Sequence, residues 1–216
     1  MESIRGKRAV RVGPDTLARQ IAGYSHVLID LGTGDGCFVR HVAETSPDTF
    51  AVGIDLCGAN MREQSRRAPA NALYLVASAY APPPELHGVA THLTINFPWG
   101  DLLSGLLGRD ARLTTSLDAL CRPGARLEVR LNGGALTTAG WTLPEAGEVV
   151  RRTLRIAGFA AGAPRLLEGR DLRAFPSTWS HRLAFGRDPR ALYLHAVKTG
   201  KGQSTVVTGT ATPLSA

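Results

Sequence analysis

The sequence predicts an α/β fold: a seven-stranded, mostly parallel sheet with helices on both faces and a short N-terminal hairpin. Three observations carry that expectation. Short apolar runs bounded by turn residues recur along the chain, segments of helical period separate most of them, and a glycine-rich loop joins one such run to a helix. With 216 residues, 44% of them hydrophobic, the chain is long enough for one α/β core and short for two.

Ahead of the main sheet, residues 4–12 read as a hairpin turning at Gly6-Lys7, and Pro14-Asp15 opens a helix. Strands are expected at 26–31, 50–54, 72–77, 89–96, 125–131, 164–168 and 191–197. Helices are expected at 35–44, 59–67, 110–120 and 144–157. In the last helix Val149, Val150, Thr153, Leu154 and Ala157 recur at helical spacing, while Arg151, Arg152 and Arg155 fall on the other side. The resulting division is a hairpin extension at 1–13, one domain at 14–198, and a disordered Gly/Thr/Ser-rich tail at 199–216.

The formal charge is +7, and nearly all the basic residues are arginines. A polyanion is the natural partner, and a guanidinium that pairs with phosphate and stacks on bases suits RNA better than a membrane surface. Candidate RNA contacts are Lys7 and Arg8 in the hairpin, Arg62, Arg66 and Arg67, then Arg151 and Arg152, then Arg182 and Arg187. Cys37, Cys57 and Cys121 are odd in number and far apart, which argues against a zinc site or a disulfide, and no metal is expected. No apolar stretch approaches the ~18 residues of a membrane span, so a soluble, cytoplasmic monomer is expected.

The strongest motif is Asp30-Leu31-Gly32-Thr33-Gly34-Asp35-Gly36, at the end of an apolar strand and the start of a helix. Its glycines let the backbone turn tightly and approach a ligand at the carboxyl edge of the sheet. Asp55 ends the next strand, nineteen residues beyond Gly36, where a carboxylate can accept from both hydroxyls of a ribose. Two details separate S-adenosylmethionine from a dinucleotide. The spacing is G-x-G-x-G in place of G-x-G-x-x-G, and an acid stands two residues before the first glycine. That carboxylate would repel a pyrophosphate and attract the ammonium of a methionine moiety. The candidate cofactor set is Asp30, Gly32, Gly34, Asp55, Leu56, Ala77, Ser78 and Asn96, with S-adenosylhomocysteine as product.

At the end of the fourth strand, Asn96-Phe97-Pro98-Trp99-Gly100 places Trp99 on the same edge, where an exposed indole can stack on an extruded base. Trp179, in the polar and basic stretch 175–182, is a second platform, and Trp141 is read as packing or lid.

Four segments together resemble the kanamycin/apramycin resistance methyltransferases: 27–36, Phe97-Pro98-Trp99-Gly100-Asp101-Leu102-Leu103, Cys121-Arg122-Pro123-Gly124-Ala125 and Ser177-Thr178-Trp179. The resemblance runs from Gly6 to about Val197, and Pro-Trp-Gly-x-Leu-Leu is its most specific part. It implies a class I, Rossmann-like methyltransferase fold and methylation of N1 of adenine 1408 in the decoding site of 16S rRNA within the 30S subunit, with aminoglycoside resistance as the result. It also implies an adenine flipped between Trp99 and Trp179, Ser177 helping to position the second ring, and RNA gripped by the hairpin and basic loops. Two positions depart from the family pattern. Tyr80 stands in place of an acid and Asp101 in place of a small hydroxyl residue, and both are expected to lower cofactor affinity or activity. Two rival functions compete: an N6-adenine methyltransferase, because Asn96-Phe97-Pro98-Trp99 resembles the D/N-P-P-Y/F/W loop, and a non-catalytic RNA-binding module on a decayed methyltransferase fold.

Overall fold

The computed structural model describes residues 1–186 and 189–200, so Arg187 and all but the first two residues of the expected tail lie outside the described residues. Five parallel strands make the centre of the sheet: β3 (His26–Leu31), β4 (Thr49–Asp55), β5 (Ala72–Val76), β6 (Ala90–Asn96) and β7 (Cys121–Asn132). The hairpin of β1 (Glu2–Arg5) and β2 (Arg8–Arg11) joins the β5 edge antiparallel, and β10 (Ala191–Lys198) joins β7 antiparallel. Two short strands pair with β10: β8 (Phe159–Ala161), which was not expected, and β9 (Arg165–Leu167), the strand expected at 164–168. The sheet therefore has ten strands where seven were expected. The expected hairpin joins the sheet and adds two, and β8 adds one.

The spatial order β5-β4-β3-β6-β7 reverses direction between β3 and β6. At that switch point the loops after the two strands diverge and leave a crevice at their carboxyl ends. β3 and β4 are almost wholly buried, as strands covered on both faces must be. One face, with Ile29, Leu31, Val52, Ile54, Leu93 and Leu127, packs on α1 (Pro14–Ile21), α5 (Ala111–Leu120) and α7 (Leu143–Ile156). The other, with Leu28, Ala51 and Tyr74, packs on α2 (Cys37–Thr45) and α3 (Gly58–Arg66). Trp141 is half-buried against the first of these clusters, which makes it packing.

Four helices lay outside the sequence expectations: α4 (Gly100–Leu106), α6 (Gly133–Thr138), α8 (Gly169–Ala174) and α9 (Thr178–Ala184). Trp179, expected in a connection, is the second residue of α9. The helix expected from residue 35 begins only at Cys37, because Gly36 adopts φ 82°, the left-handed region. A β-carbon on Gly36 would also overlap the ring of Tyr74, whose hydroxyl donates to the Gly36 carbonyl at 3.1 Å. Gly36→Ala therefore combines backbone strain with overpacking, an expected loss of ~2–4 kcal/mol in denaturant unfolding. Gly124→Ala is the control: φ is also positive, but nothing lies within 4 Å of the added carbon, and the expected loss is ~1 kcal/mol. Equal losses in the two variants would show that Tyr74 does not enforce the glycine.

Candidate active site

The site begins with the polar residues of one sheet face. Period-two alternation puts Asp30 on β3, Thr94 and Asn96 on β6, and Glu128 and Arg130 on β7 on the same side, and the parallel register sets Asp30 beside Thr94 and Asn96 beside Arg130. The Asp30 carboxylate is 2% exposed and accepts from the Thr94 hydroxyl at 2.7 Å and the Asn96 amide at 2.9 Å. Arg130 donates to the Asn96 oxygen at 3.0 Å and to Glu128 at 2.7 Å, with its guanidinium 4.3 Å over the Phe175 ring. Because Arg130 only donates, it turns the Asn96 oxygen toward itself and the amine toward Asp30. Burial pushes the Asp30 carboxyl up to about 6, opposed by Thr94 first, then by the nearby Thr33 and by Asn96. A buried carboxylate with no cation closer than Arg130 fits an incoming ammonium. The neighbouring Thr33 hydroxyl, buried without a hydrogen-bond partner, is further polar capacity at the same place.

The glycine loop lies above this acid. Gly32 and Gly34 have φ of 71° and 62°, and the Gly34 amide donates to Asp55 at 2.9 Å. The other Asp55 oxygen accepts from the Cys57 amide at 2.8 Å, so the carboxylate is fixed at the tip of β4 with a lone pair remaining on each oxygen. Leu56 beside it is 71% exposed. Asp30, Gly32, Gly34, Asp55, Leu56, Ala77, Ser78 and Asn96 all line one cleft of about 930 Å³, the volume class of cofactor sites, together with Trp99, Ser177 and Trp179. Every candidate cofactor residue is thus brought together with the candidate base platforms.

Phe97 turns the chain from β6 into the mouth of the cleft. It has φ 52°, the only non-glycine residue with positive φ among the described residues, and its amide donates to the Arg130 carbonyl at 2.7 Å. Strain of this kind persists where packing over-determines it, and Phe97 is buried against Phe175. Trp99 then caps α4 at 44% exposure, facing Trp179 at 40%. Their ring centroids are 5.8 Å apart at 39°. A base between two indoles needs about 7 Å, two contacts of ~3.5 Å, and parallel planes. Both platforms are present, but the expected slot between them is not open. Ser177 caps α9 by accepting from the Ser180 amide at 3.0 Å, so it orients the helix that carries Trp179.

Sequence reasoning missed two parts of the site. Arg130 lies in an alternating strand where its charge reads as surface. Arg109 and Asp110, just before α5, and Arg112 in its first turn also line the cleft, with Arg112 paired to Asp110 at 2.6 Å, and no motif marks them. Tyr80 also lines the cleft, and its hydroxyl donates to the main-chain carbonyl of Asp101. The two departures from the family pattern are therefore in contact with each other.

The basic residues divide. The hairpin tip docks on the end of α3, with the Gly6 amide donating to Ser65 at 3.0 Å, so Lys7, Arg8, Arg62, Arg66 and Arg67 share one exposed surface. Arg66 and Arg67 pair with Glu63 there. Arg151 and Arg152 lie on α7, at the opposite end of the sheet, and Arg151 pairs with Glu148 at 2.5 Å. Arg182 lies over the Trp179 ring at 5.3 Å. Among the described residues no helix is long and apolar enough to cross a membrane.

A reversed-order parallel sheet with an acid beneath a G-x-G-x-G loop and a second acid at the tip of the next strand defines a class I, S-adenosylmethionine-dependent methyltransferase. A family model described as 16S rRNA (adenine(1408)-N(1))-methyltransferase matches residues 2–198. A protein of that description from Streptoalloteichus tenebrarius is 32% identical over 207 residues, 87% of this chain and 94% of that one. The crystal structure of the 16S rRNA methyltransferase KamB has a TM-score of 0.83 at 29% identity, covering 93% of this chain and all of that one. A 16S rRNA (adenine(1408)-N(1))-methyltransferase from Catenulisporales acidiphilia, solved with cosubstrate SAM, has a TM-score of 0.82 at 27% identity, covering 93% and 97%. The chain belongs to the 16S rRNA (adenine(1408)-N(1))-methyltransferase family.

The raised Asp30 value gives cofactor binding a pH dependence of definite sign. An ammonium pairs only with the ionised carboxylate, which predominates above about 6 and falls to roughly a tenth of the population at pH 5. Affinity for S-adenosylmethionine measured by calorimetry should be flat just above pH 7 and roughly tenfold weaker at pH 5. Asp30→Asn should bind weakly at every pH and lose this dependence. A wild-type affinity that does not change between pH 5 and 7 would remove the carboxylate from the ammonium contact.

Proposed function

We propose that this enzyme methylates N1 of adenine 1408 in the decoding site of 16S rRNA, acting on the assembled 30S subunit and conferring aminoglycoside resistance. The observation that carries the reading is the single cleft in which the acids of a methyl-donor site meet two half-exposed tryptophans. S-adenosylmethionine supplies an electrophilic methyl group on a sulfonium. The residues of this chain hold the donor and the acceptor in line: Asp30 for the amino group, Asp55 for the ribose, Leu56, Ala77 and Ser78 along the cleft wall. Trp99 and Trp179, parted by about 1 Å and turned parallel, stack on the extruded base. As the N1 lone pair forms its bond to carbon, the carbon–sulfur bond would break with its electron pair left on a neutral thioether; the positive charge passes to the ring, and two indole faces stabilise it. Lys7, Arg8, Arg62, Arg66, Arg67 and Arg182 grip phosphates, with Arg151 and Arg152 reaching RNA only on the far flank. We assign the domain to 14–198 with the hairpin at 1–13 as an RNA-gripping extension, and the protein to the cytoplasm as a monomer.

Two features favour this over methylation of the exocyclic amine or a decayed site. An N6 enzyme needs the Asn of its loop as an acceptor for the amine, whereas the Asn96 oxygen is turned to Arg130. A decayed site is disfavoured because Tyr80 braces Asp101 and leaves Asp30, Asp55 and the loop glycines in place.

Primer extension on 30S subunits treated with protein and cofactor should stop at one decoding-site adenine, since a methyl on N1 blocks pairing. Trp99→Ala and Trp179→Ala should each lower methylation roughly tenfold to hundredfold, the loss of a stacking surface worth ~1–3 kcal/mol, with cofactor affinity nearly unmoved. Phe at either position should retain part of the activity. Stable Ala variants that bind cofactor normally and methylate at the wild-type rate would refute the stacking role.

A further inference from the structure

The glycine loop contains a second acid, Asp35, which none of the roles above uses. One of its carboxylate oxygens accepts from the Cys37 amide at 3.0 Å and ties down the start of α2. The other accepts from the Thr178 hydroxyl at 2.5 Å, across 143 residues of sequence. That length is typical of a charge-assisted O–H···O⁻ bond. Thr178 opens α9, and the next residue is Trp179. The same corner of α2 makes two more contacts with this segment: the Cys37 sulfur lies 3.7 Å from the Thr178 hydroxyl, and Phe38 stacks on Phe175 with centroids 5.0 Å apart at 18°. The start of α2 is therefore the seat on which the tryptophan-bearing segment rests.

The seat matters because of the indole geometry. At 5.8 Å and 39°, a pivot of α9 by about 1 Å separates a closed pair from one that admits a base. Ser177 caps α9, and the Ser180 hydroxyl bonds the Leu172 carbonyl, but both contacts lie within the α8–α9 segment. Neither sets how far Trp179 stands from the methyl-donor loop. The Asp35–Thr178 bond does, because it joins the loop itself to the residue before the indole.

We propose that Asp35, acting through Thr178, is a positioning residue for the target base: their hydrogen bond sets the depth and tilt of Trp179 over the cofactor loop and contributes little to cofactor affinity. The inference rests on the stacking role of Trp179 given above. A misplacement of about 1 Å can cost a reaction of this kind roughly a hundredfold, so the bond affects turnover without touching a reacting atom.

Thr178→Val removes the hydroxyl at nearly constant volume, and Thr178→Ser retains it. In Thr178→Val we expect cofactor affinity by calorimetry within about twofold of wild type, an altered far-UV circular-dichroism exciton couplet from the paired indoles, and kcat/KM on 30S subunits lowered roughly tenfold to hundredfold. Thr178→Ser should restore both the couplet and the rate. Adding Thr178→Val to Asp35→Ala should lower the rate no further, since both act through one bond. An unchanged couplet in Thr178→Val overturns the proposal whatever the RNA substrate is. So does a wild-type methylation rate, a lost rate matched by an equal loss of cofactor affinity, or a serine variant that fails to rescue. If the wild-type protein leaves 30S subunits unmodified, the functional reading fails on its own, and the couplet still decides whether Asp35 and Thr178 set the indole.

Discussion

The site is organised around a carboxylate placed where water cannot reach it. Asp30 ends the central strand, and burial alone would drive it toward the neutral form. The shift from 3.8 to about 6 corresponds to ~3 kcal/mol against ionisation. Thr94, Asn96 and, one step further, Arg130 offset part of that cost without supplying a direct countercharge. On the proposed role of Asp30, an ammonium group would relieve this penalty, and its release would contribute to the binding of the cofactor. A direct Arg–Asp30 pair would remove the penalty and the driving force together, which is a physical reason for Asn96 to stand between the two charges.

The same network fixes the target side. Arg130 orients Asn96, packs its guanidinium on Phe175, and offers its main-chain carbonyl to the amide of Phe97. Phe97 then leaves β6 with a left-handed backbone and delivers Trp99 to the mouth of the cleft. One arginine therefore touches the residue that holds the acid, the bend that aims the first indole, and the ring beneath the segment that carries the second. The consequences of altering Arg130 extend to all three and do not separate, which distinguishes it from Thr178, where a single hydroxyl links two elements.

How much of this is readable without coordinates depends on which forces fix each part. The parallel strands were readable because burial on both faces leaves apolar runs such as Val27-Leu28-Ile29 that few other environments tolerate. The glycine loop was readable because positive φ at Gly32, Gly34 and Gly36 and an acid near a strand tip are local requirements written within seven residues. α4 and α9 were not, since helices of seven residues are far below the ~12–15 that stand alone and form only through tertiary contacts. Trp179 therefore looked like part of a polar connection. Arg130 was invisible for another reason: its role follows from lying beside Asn96 across two strands, and strand order is not a property of any window of sequence.

The closed tryptophan pair follows from the same division between local and tertiary forces. Trp99 is tied to the rigid sheet through Phe97 and to the first turn of α4, which Tyr80 braces from the far wall. Trp179 sits on a segment whose own core is small, Leu172 and Leu183 against Phe97 and Ala191. Two indole faces of about 40% exposure, 5.8 Å apart, gain from their mutual contact. Opening the pair then costs the contact between the indoles, and an inserted purine returns two stacking faces for the one that is lost. An unstacked or already extruded base meets that exchange most cheaply, because its own stacking has been given up beforehand. On the proposed stacking role, selection of a flipped adenine would depend on the contact between the two indoles as much as on the cleft behind them.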